Sequence, residues 1–274
     1  MTSTTVIQIA GIPVLLRSSN QVFRESLADR YSEFIIPAAP PTPIELTVAI
    51  DSQGFPSAED AAAGRLKNTQ VVVTQTNDKW RFDRYDFLAE WSAETRNGTV
   101  RQAEPVMWSI DSVLRVLHSI VAVTGGGCLM HAASAIRNGR SFVFTGVSGA
   151  GKTTISGLIP PDAKLLTDEI SYIRPDRDGY RAFGTPFMGH LGIPGNNVSA
   201  PLKAIYLLVQ GPENKVRPVS QKQAAAALLR NVLFFAEDPE LVRTIFETVC
   251  RLVVTVPVYE LTFLPTTEVW EMIA

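Results

Sequence analysis

Gly146-Val147-Ser148-Gly149-Ala150-Gly151-Lys152-Thr153 satisfies G-x-x-x-x-G-K-[ST], the phosphate-binding P-loop pattern. The glycines lack a Cβ, so the loop can turn tightly and bring backbone N–H groups against phosphate oxygens. Lys152 supplies a mobile ammonium where β- and γ-phosphates would lie, and the Thr153 hydroxyl is the type that ligates Mg²⁺. Gly146, Ser148, Gly149, Ala150, Gly151 and Thr154 complete the expected phosphate cradle. A chance glycine-rich turn is the competing reading, and the context argues against it. Ser141–Thr145 reads as a short buried strand, and Thr154–Ile159 as the first turns of a helix stopped by Pro160-Pro161. Strand, loop and helix start together make an anion site suited to a nucleoside triphosphate, with ATP and Mg²⁺ the expected pair.

A P-loop alone does not separate a phosphotransferase from a nucleotide switch, so the carboxylates must decide. Asp168-Glu169 follows the strand Lys164–Thr167, directly after the P-loop helix. In an open α/β sheet that edge is where ligands bind. One carboxylate beside Mg²⁺ and another beside an acceptor hydroxyl would supply metal positioning and a general base. The expected metal set is Thr153, Asp168 and Glu169. The alternative is an acid that only holds Mg²⁺, with Glu169 exposed and idle. His131 lies on the strand next to the P-loop strand and is expected to orient Asp168, or else to be structural.

His131, the P-loop and Leu166-Thr167-Asp168-Glu169 together resemble the catalytic domain of bacterial HPr serine kinase/phosphorylase. That family places a histidine at the same interval before its P-loop and an Asp-Asp pair at nearly the same interval after it. The resemblance covers 130–174 and implies an α/β fold of α+β character, related to phosphoenolpyruvate carboxykinase. Weaker likeness through Leu202–Leu208 and the C-terminal helices extends it to HPr-kinase-related proteins, including kinases of lasso-peptide tails. It implies Lys152 and Thr153 on phosphate and Mg²⁺, Asp168 as base, His131 in support, a serine-bearing peptide or protein acceptor, and homo-oligomers. Glu169 stands where the family has its second aspartate. The family's second signature has no match in Gly184–Asn197, where His190 is a substitute candidate for substrate contact. Phosphorylase activity and HPr itself as substrate therefore lie outside what the resemblance implies.

The remaining chain must position these groups. At 274 residues, 46% hydrophobic and 19% charged with net charge −2, it is an ordinary globular composition. No Lys/Arg run offers a footprint for nucleic acid. Cys128 and Cys250 cannot build a disulfide framework or a zinc site by themselves. Met1–Thr5 lacks signal-peptide features, and no apolar run reads as long enough to span a bilayer, so a cytoplasmic protein without a membrane partner is expected. Residues 1–104 read as a β-rich N-terminal domain and 105–274 as the catalytic domain. In the first, Val6–Leu16 reads as two short strands and Gln21–Tyr31 as a helix, followed by strands at Glu45–Ile50, Gln70–Gln75, Lys79–Tyr85 and Thr99–Gln102. Asn77-Asp78 and Asn97-Gly98 are turn candidates. Trp80, Phe82, Tyr85, Phe87 and Trp91 form either a ligand platform or, more commonly for such a stretch, strand core.

In the second domain, Ile110–Val121 is helical up to Gly125-Gly126-Gly127, with His118 expected buried and hydrogen-bonded. Cys128–Ile136 is a strand, Ala204–Val209 a buried strand, Ala224–Phe235 a helix behind the Ser220–Gln223 capping box, and Pro239 starts another. Gly184–Pro201 is a long segment of the kind used as a lid or binding loop. Three functions follow. The first is an ATP-dependent kinase for a serine hydroxyl of a peptide or protein. The second is a nucleotide-binding switch whose β-rich half recruits a partner, and the third is a small-metabolite kinase. The acceptor pocket has no motif.

Overall fold

Ala10 and Gly11, both left-handed (φ 51° and 78°), turn β1 (Ser3–Ile9) back on β2 (Ile12–Ser18). The computed structural model that shows this describes residues 3–273, apart from 58, 61, 62, 65, 67, 68 and 190. The chain is mixed α/β, strand-rich and built on two sheets. It divides into two compact units, Met1–Leu117 with Phe235–Asp238, and His118–Phe234 with Pro239–Ala274. The division falls inside a helix, beyond the 104/105 boundary read from sequence. Candidate residue His190 and part of the Ala58–Gly64 loop lie outside the described residues.

In the first unit, α1 (Gln21–Arg30) starts where the Asn20 side chain accepts from the Phe23 N–H at 2.9 Å, and it buries Phe23 and Leu27. The sheet continues with β3 (Ile44–Ile50), β4 (Val72–Thr76), β5 (Lys79–Arg84), β6 (Phe87–Ser92) and β7 (Asn97–Gln102). Its seven strands run in the order β1-β2-β3-β7-β6-β5-β4, with β2–β3 and β3–β7 parallel and the rest antiparallel. Trp80, Phe82, Phe87 and Trp91 are buried, the core reading of the aromatic stretch, while Tyr85 is half-buried against Trp108.

Asn97-Gly98 is not a turn: it opens β7, and the chain reverses just before it, where Arg96 is left-handed. Gly98 is there for another reason. An ideal Cβ would lie 2.4 Å from the Glu90 carbonyl, so only glycine lets β6 and β7 approach.

α2 (Met107–Thr124) begins in the first unit, where Asp111 accepts from Tyr31 and pairs with Arg30 at 2.9 Å. Contrary to the sequence reading, this helix is long and apolar enough to cross a membrane by length and composition, but 61% of it is buried, as in a core helix.

The second unit is not the open sheet expected from sequence. β8 (Cys128–Arg137) pairs antiparallel with β9 (Arg140–Thr145), and β9 pairs parallel with β13 (Ser199–Val209). β13 also pairs with β12 (Gly179–Phe183), β12 with β11 (Ile170–Asp176), and β11 with β8, which closes a small barrel. β10 (Ala163–Thr167) flanks β8, while β15 (Val258–Thr262) and β14 (Lys215–Pro218) extend from β13. The sheet closes because β13, eleven residues long, begins earlier than expected and pairs with β12 before it reaches β9 and β15.

Helices α3 (Lys152–Gly157), α4 (Gln221–Leu229), α5 (Pro239–Thr255) and α6 (Val269–Ile273) complete the unit. Ser220 caps α4 by accepting from the Gln223 N–H, and the helix stops at Leu229, short of the expected Phe235, because residues 231–233 leave it to pair with β8. Phe144 is 1% exposed, stacked on Tyr206 at 5.6 Å and edge-on to Trp270 at 5.4 Å.

His118 is buried as expected, but neither ring nitrogen finds a hydrogen-bond partner among the described residues. It sits edge-on to Tyr172, and burial, helped by the Arg174 charge, holds its pKa at about 3. Because that lies below the ordinary value of 6.5, the unfolded chain binds the extra proton between the two values. The stability this group contributes is complete above pH 6.5 and lost as pH falls toward 3. His118→Leu is expected to flatten the pH dependence of the urea midpoint over that window relative to wild type. Phe144→Ala, which empties an aromatic stack, is expected to cost about 3–5 kcal/mol by the same measurement.

Candidate functional site

The site is built where backbone pairing of β8 changes partners. Along one side, β8 bonds β10 from Ser134 onward and β11 up to His131. The chain crosses from β10 to β11 through Asp168-Glu169, and the Ala132 N–H donates to the Glu169 carbonyl at 3.0 Å. On the other side β9 runs antiparallel to β8 and delivers the P-loop, with Ala132 opposite Thr145. The Thr145 hydroxyl donates to the His131 carbonyl at 2.9 Å. His131, the start of the P-loop and the acidic pair thus meet at one end of adjacent strands.

The loop 146–153 adopts the left-handed turns that its glycines permit. Gly149 and Gly151 have φ of 78° and 111°, and Gly151 sits against the Phe263 ring, where an ideal Cβ would lie 3.0 Å from Cζ. The Ala150 N–H donates to the Val147 carbonyl, and the Gln210 amide, at the end of β13, donates to the Gly149 carbonyl at 2.9 Å. Lys152 is nearly buried. Its Nζ donates to the carbonyls of Gly146 at 2.9 Å and Val147 at 3.3 Å. Burial pulls its pKa below the ordinary lysine value and the Glu169 carboxylate pushes it back up. Thr153 and Thr154 are exposed at the start of α3.

The carboxylates differ from the sequence reading in one respect. His131 does not orient Asp168; its Nε2 lies 3.5 Å from Oε1 of Glu169. The reason is register: His131 pairs with Ile170, which brings the neighbouring residue 169 alongside it. Asp168 is 4% exposed and held instead by the long loop, its Oδ1 accepting from the Gly189 N–H and its Oδ2 from the Leu191 N–H, each at 3.1 Å. An ideal Cβ on Gly189 would lie 2.8 Å from oxygens of both Asp168 and Glu169. That loop is firmly anchored: Phe187 is fully buried, the Thr185 hydroxyl donates to the Ile170 carbonyl at 2.6 Å, and the Asn196 N–H donates to the Leu166 carbonyl at 3.0 Å.

A cleft of about 830 Å³ opens beside the P-loop, lined by Gly146–Ala150, His131, Gln210, Arg230, Asn231 and Glu260. Sequence spacing missed the last four. Arg230 and Asn231 are brought to it because residues 231–233 pair with the start of β8, the His131 N–H donating to the Asn231 carbonyl at 2.7 Å. Only Gln210 carried a signal, as the polar residue ending a strand parallel to β9.

Among the described residues no group of three or more His, Cys, Asp or Glu converges as a metal cage. Mg²⁺ characteristically takes one or two carboxylates and completes its shell with phosphate oxygens and water, so Asp168 and the Thr153 hydroxyl are donors of the type that serves it without such a cage. Gly189→Ala is expected to lift the loop from the acidic pair. Faster amide exchange at residues 189 and 191, with unchanged exchange in β1, is the measurement that checks it.

No curated protein matches the chain. Residues 98–274 match the family described as SynChlorMet cassette protein ScmC. The match takes in the P-loop, the acidic pair and every strand of the barrel, and the chain belongs to this ScmC family.

Proposed function

We propose that this chain is an ATP-dependent kinase that transfers the γ-phosphate to a hydroxyl, a serine of a peptide or protein, in the cytoplasm. The observation that carries the reading is the convergence of a P-loop lysine, an acidic pair and a histidine at one end of β8, β9 and the 168–169 crossing. The resemblance of these motifs to HPr serine kinase supports an HPr kinase/phosphoenolpyruvate carboxykinase-like fold for the second unit. The description of the family as a cassette protein fits an acceptor supplied by the same cassette.

Each residue then has a task. The P-loop amides and Lys152 hold the triphosphate, Lys152 leaving its present carbonyl partners for phosphate oxygens. Thr153 and Asp168 would hold Mg²⁺, which neutralises charge on those oxygens when bound. Glu169, half-buried and next to His131, takes the base role that the resemblance gives to Asp168 and accepts the proton of the acceptor hydroxyl. The hydroxyl oxygen forms its bond to the γ-phosphorus as the bond to the β–γ bridging oxygen breaks, and ADP leaves with that electron pair. Each Asp168 oxygen accepts one loop amide and keeps a second lone pair for a metal, so the loop orients the carboxylate while it serves.

The test is transfer from γ-labelled ATP, with Mg²⁺, to an extract of the source cells and to the other products of the cassette. Wild type is expected to label a serine-bearing acceptor and Lys152→Ala to label none. Glu169→Gln is expected to bind ATP normally but to slow transfer by about 10²–10⁴-fold. ATP binding without any labelled product would overturn the kinase in favour of a nucleotide switch.

A further inference from the structure

On the kinase reading an acceptor hydroxyl must meet Glu169, and His131, whose Nε2 lies 3.5 Å from Oε1 of Glu169, forms one wall of the cleft beside the P-loop. The rest of the acceptor then lies in that cleft. What the cleft can recognise follows from which polar groups are already spent. Gln210 turns its NH₂ onto the Gly149 carbonyl at 2.9 Å, and Asn231 turns its own onto the Ala227 carbonyl at 2.9 Å. Each is left with its oxygen to offer. Among the described lining residues Glu260 is the one carboxylate, and it adds further acceptors. Such a lining suits a peptide backbone, whose N–H groups need acceptors. A second run of phosphate oxygens would need donors instead.

Arg230 is the exception. It is the one Lys or Arg among the described lining residues, and it stands exposed at the C-terminal cap of α4. Among the described residues no hydrogen bond or ion pair engages its guanidinium. Glu260 does not take up this charge: Arg217 stands directly opposite it on β14, a register that puts the two side chains on one face of the sheet. The backbone at Arg230 is held firmly. The carbonyl of the next residue, Asn231, accepts from the His131 N–H at 2.7 Å, and Val232 bridges Met130. Arg230 is thus tied to the strand that carries His131, with five N–H donors still to place.

We propose that Arg230 determines acceptor specificity, selecting peptides that carry an acidic side chain one or two residues from the phosphorylated serine. The guanidinium takes that carboxylate through a forked pair of hydrogen bonds, the geometry arginine is built for. The spacing follows from the backbone. Arg230 stands one residue from the one bonded to His131, and two residues of extended chain span about 7 Å. The oxygens of Gln210, Asn231 and Glu260 then accept from the N–H groups of the same peptide. This inference rests on the kinase reading of the site and names the acceptor that site would take.

The probe is a set of short capped peptides with a central serine, alanine elsewhere, and one Asp, Asn or Lys placed in turn at each flanking position. They are given to the full chain with γ-labelled ATP and Mg²⁺. At one position within two residues of the serine, Asp is expected to raise kcat/KM over Lys by at least about tenfold. Arg230→Glu is expected to invert the preference at that position, with ATP affinity as in wild type. Equal labelling of the Asp and Lys peptides, or a preference that survives Arg230→Glu, would overturn the proposal. Weakened ATP binding without inversion would overturn it by putting Arg230 on the nucleotide. Labelling of an acceptor in the cell extract but of no peptide in the set would also overturn it, and would leave the kinase standing. Labelling of neither falls on the kinase reading itself and takes this inference with it.

Discussion

The ten backbone units of β8 need more partners than one neighbouring strand can give, and the candidate site follows from how that need is met. Buried N–H and C=O groups must all be paired. β8 meets this with β9 and residues 231–233 along one side, and β10 and β11 along the other. Each handover between partners leaves a short crossing segment, and the crossing at 168–169 carries the two carboxylates. The acidic pair is therefore placed by backbone accounting, and its side chains inherit that position.

What surrounds the pair is a set of contacts that a ligand would exchange for its own. Lys152 is satisfied by loop carbonyls and Asp168 by loop amides, so the charges of the site are buried without being left bare. Any ligand that takes over these groups gains only the surplus over the internal bonds it replaces. Gly189 sits where a methyl group would press on both carboxylates, which ties loop position to the state of the acidic pair.

Much of this was legible in the residue types. Glycines at left-handed positions, the Ser220 cap, the helix ahead of three glycines and the strand before the P-loop follow from local rules, and each appears where those rules put it. What local pattern did not carry is pairing over long distances. The partner of His131 depended on the register of β11 against β8, and closure of the barrel on an early start to β13. Asn97-Gly98 misled because a glycine needed for close approach looks, in sequence, like one needed for a turn. Arg230 and Asn231 reach the cleft through a bridge between segments about a hundred residues apart, which no spacing rule encodes.

The order of strands in the first sheet bears on how this chain can be divided. β7 is its middle strand, with β3 bonded to one edge and β6 to the other. The family match begins at residue 98, inside that strand. A fragment cut there would keep a strand stripped of both neighbours, carrying two raw edges and the buried Val100 into solvent. Residues 235–238 also belong to the first unit although they lie deep in the second half of the chain. The stretch matched by the family therefore does not coincide with a unit that could be excised with its sheet intact.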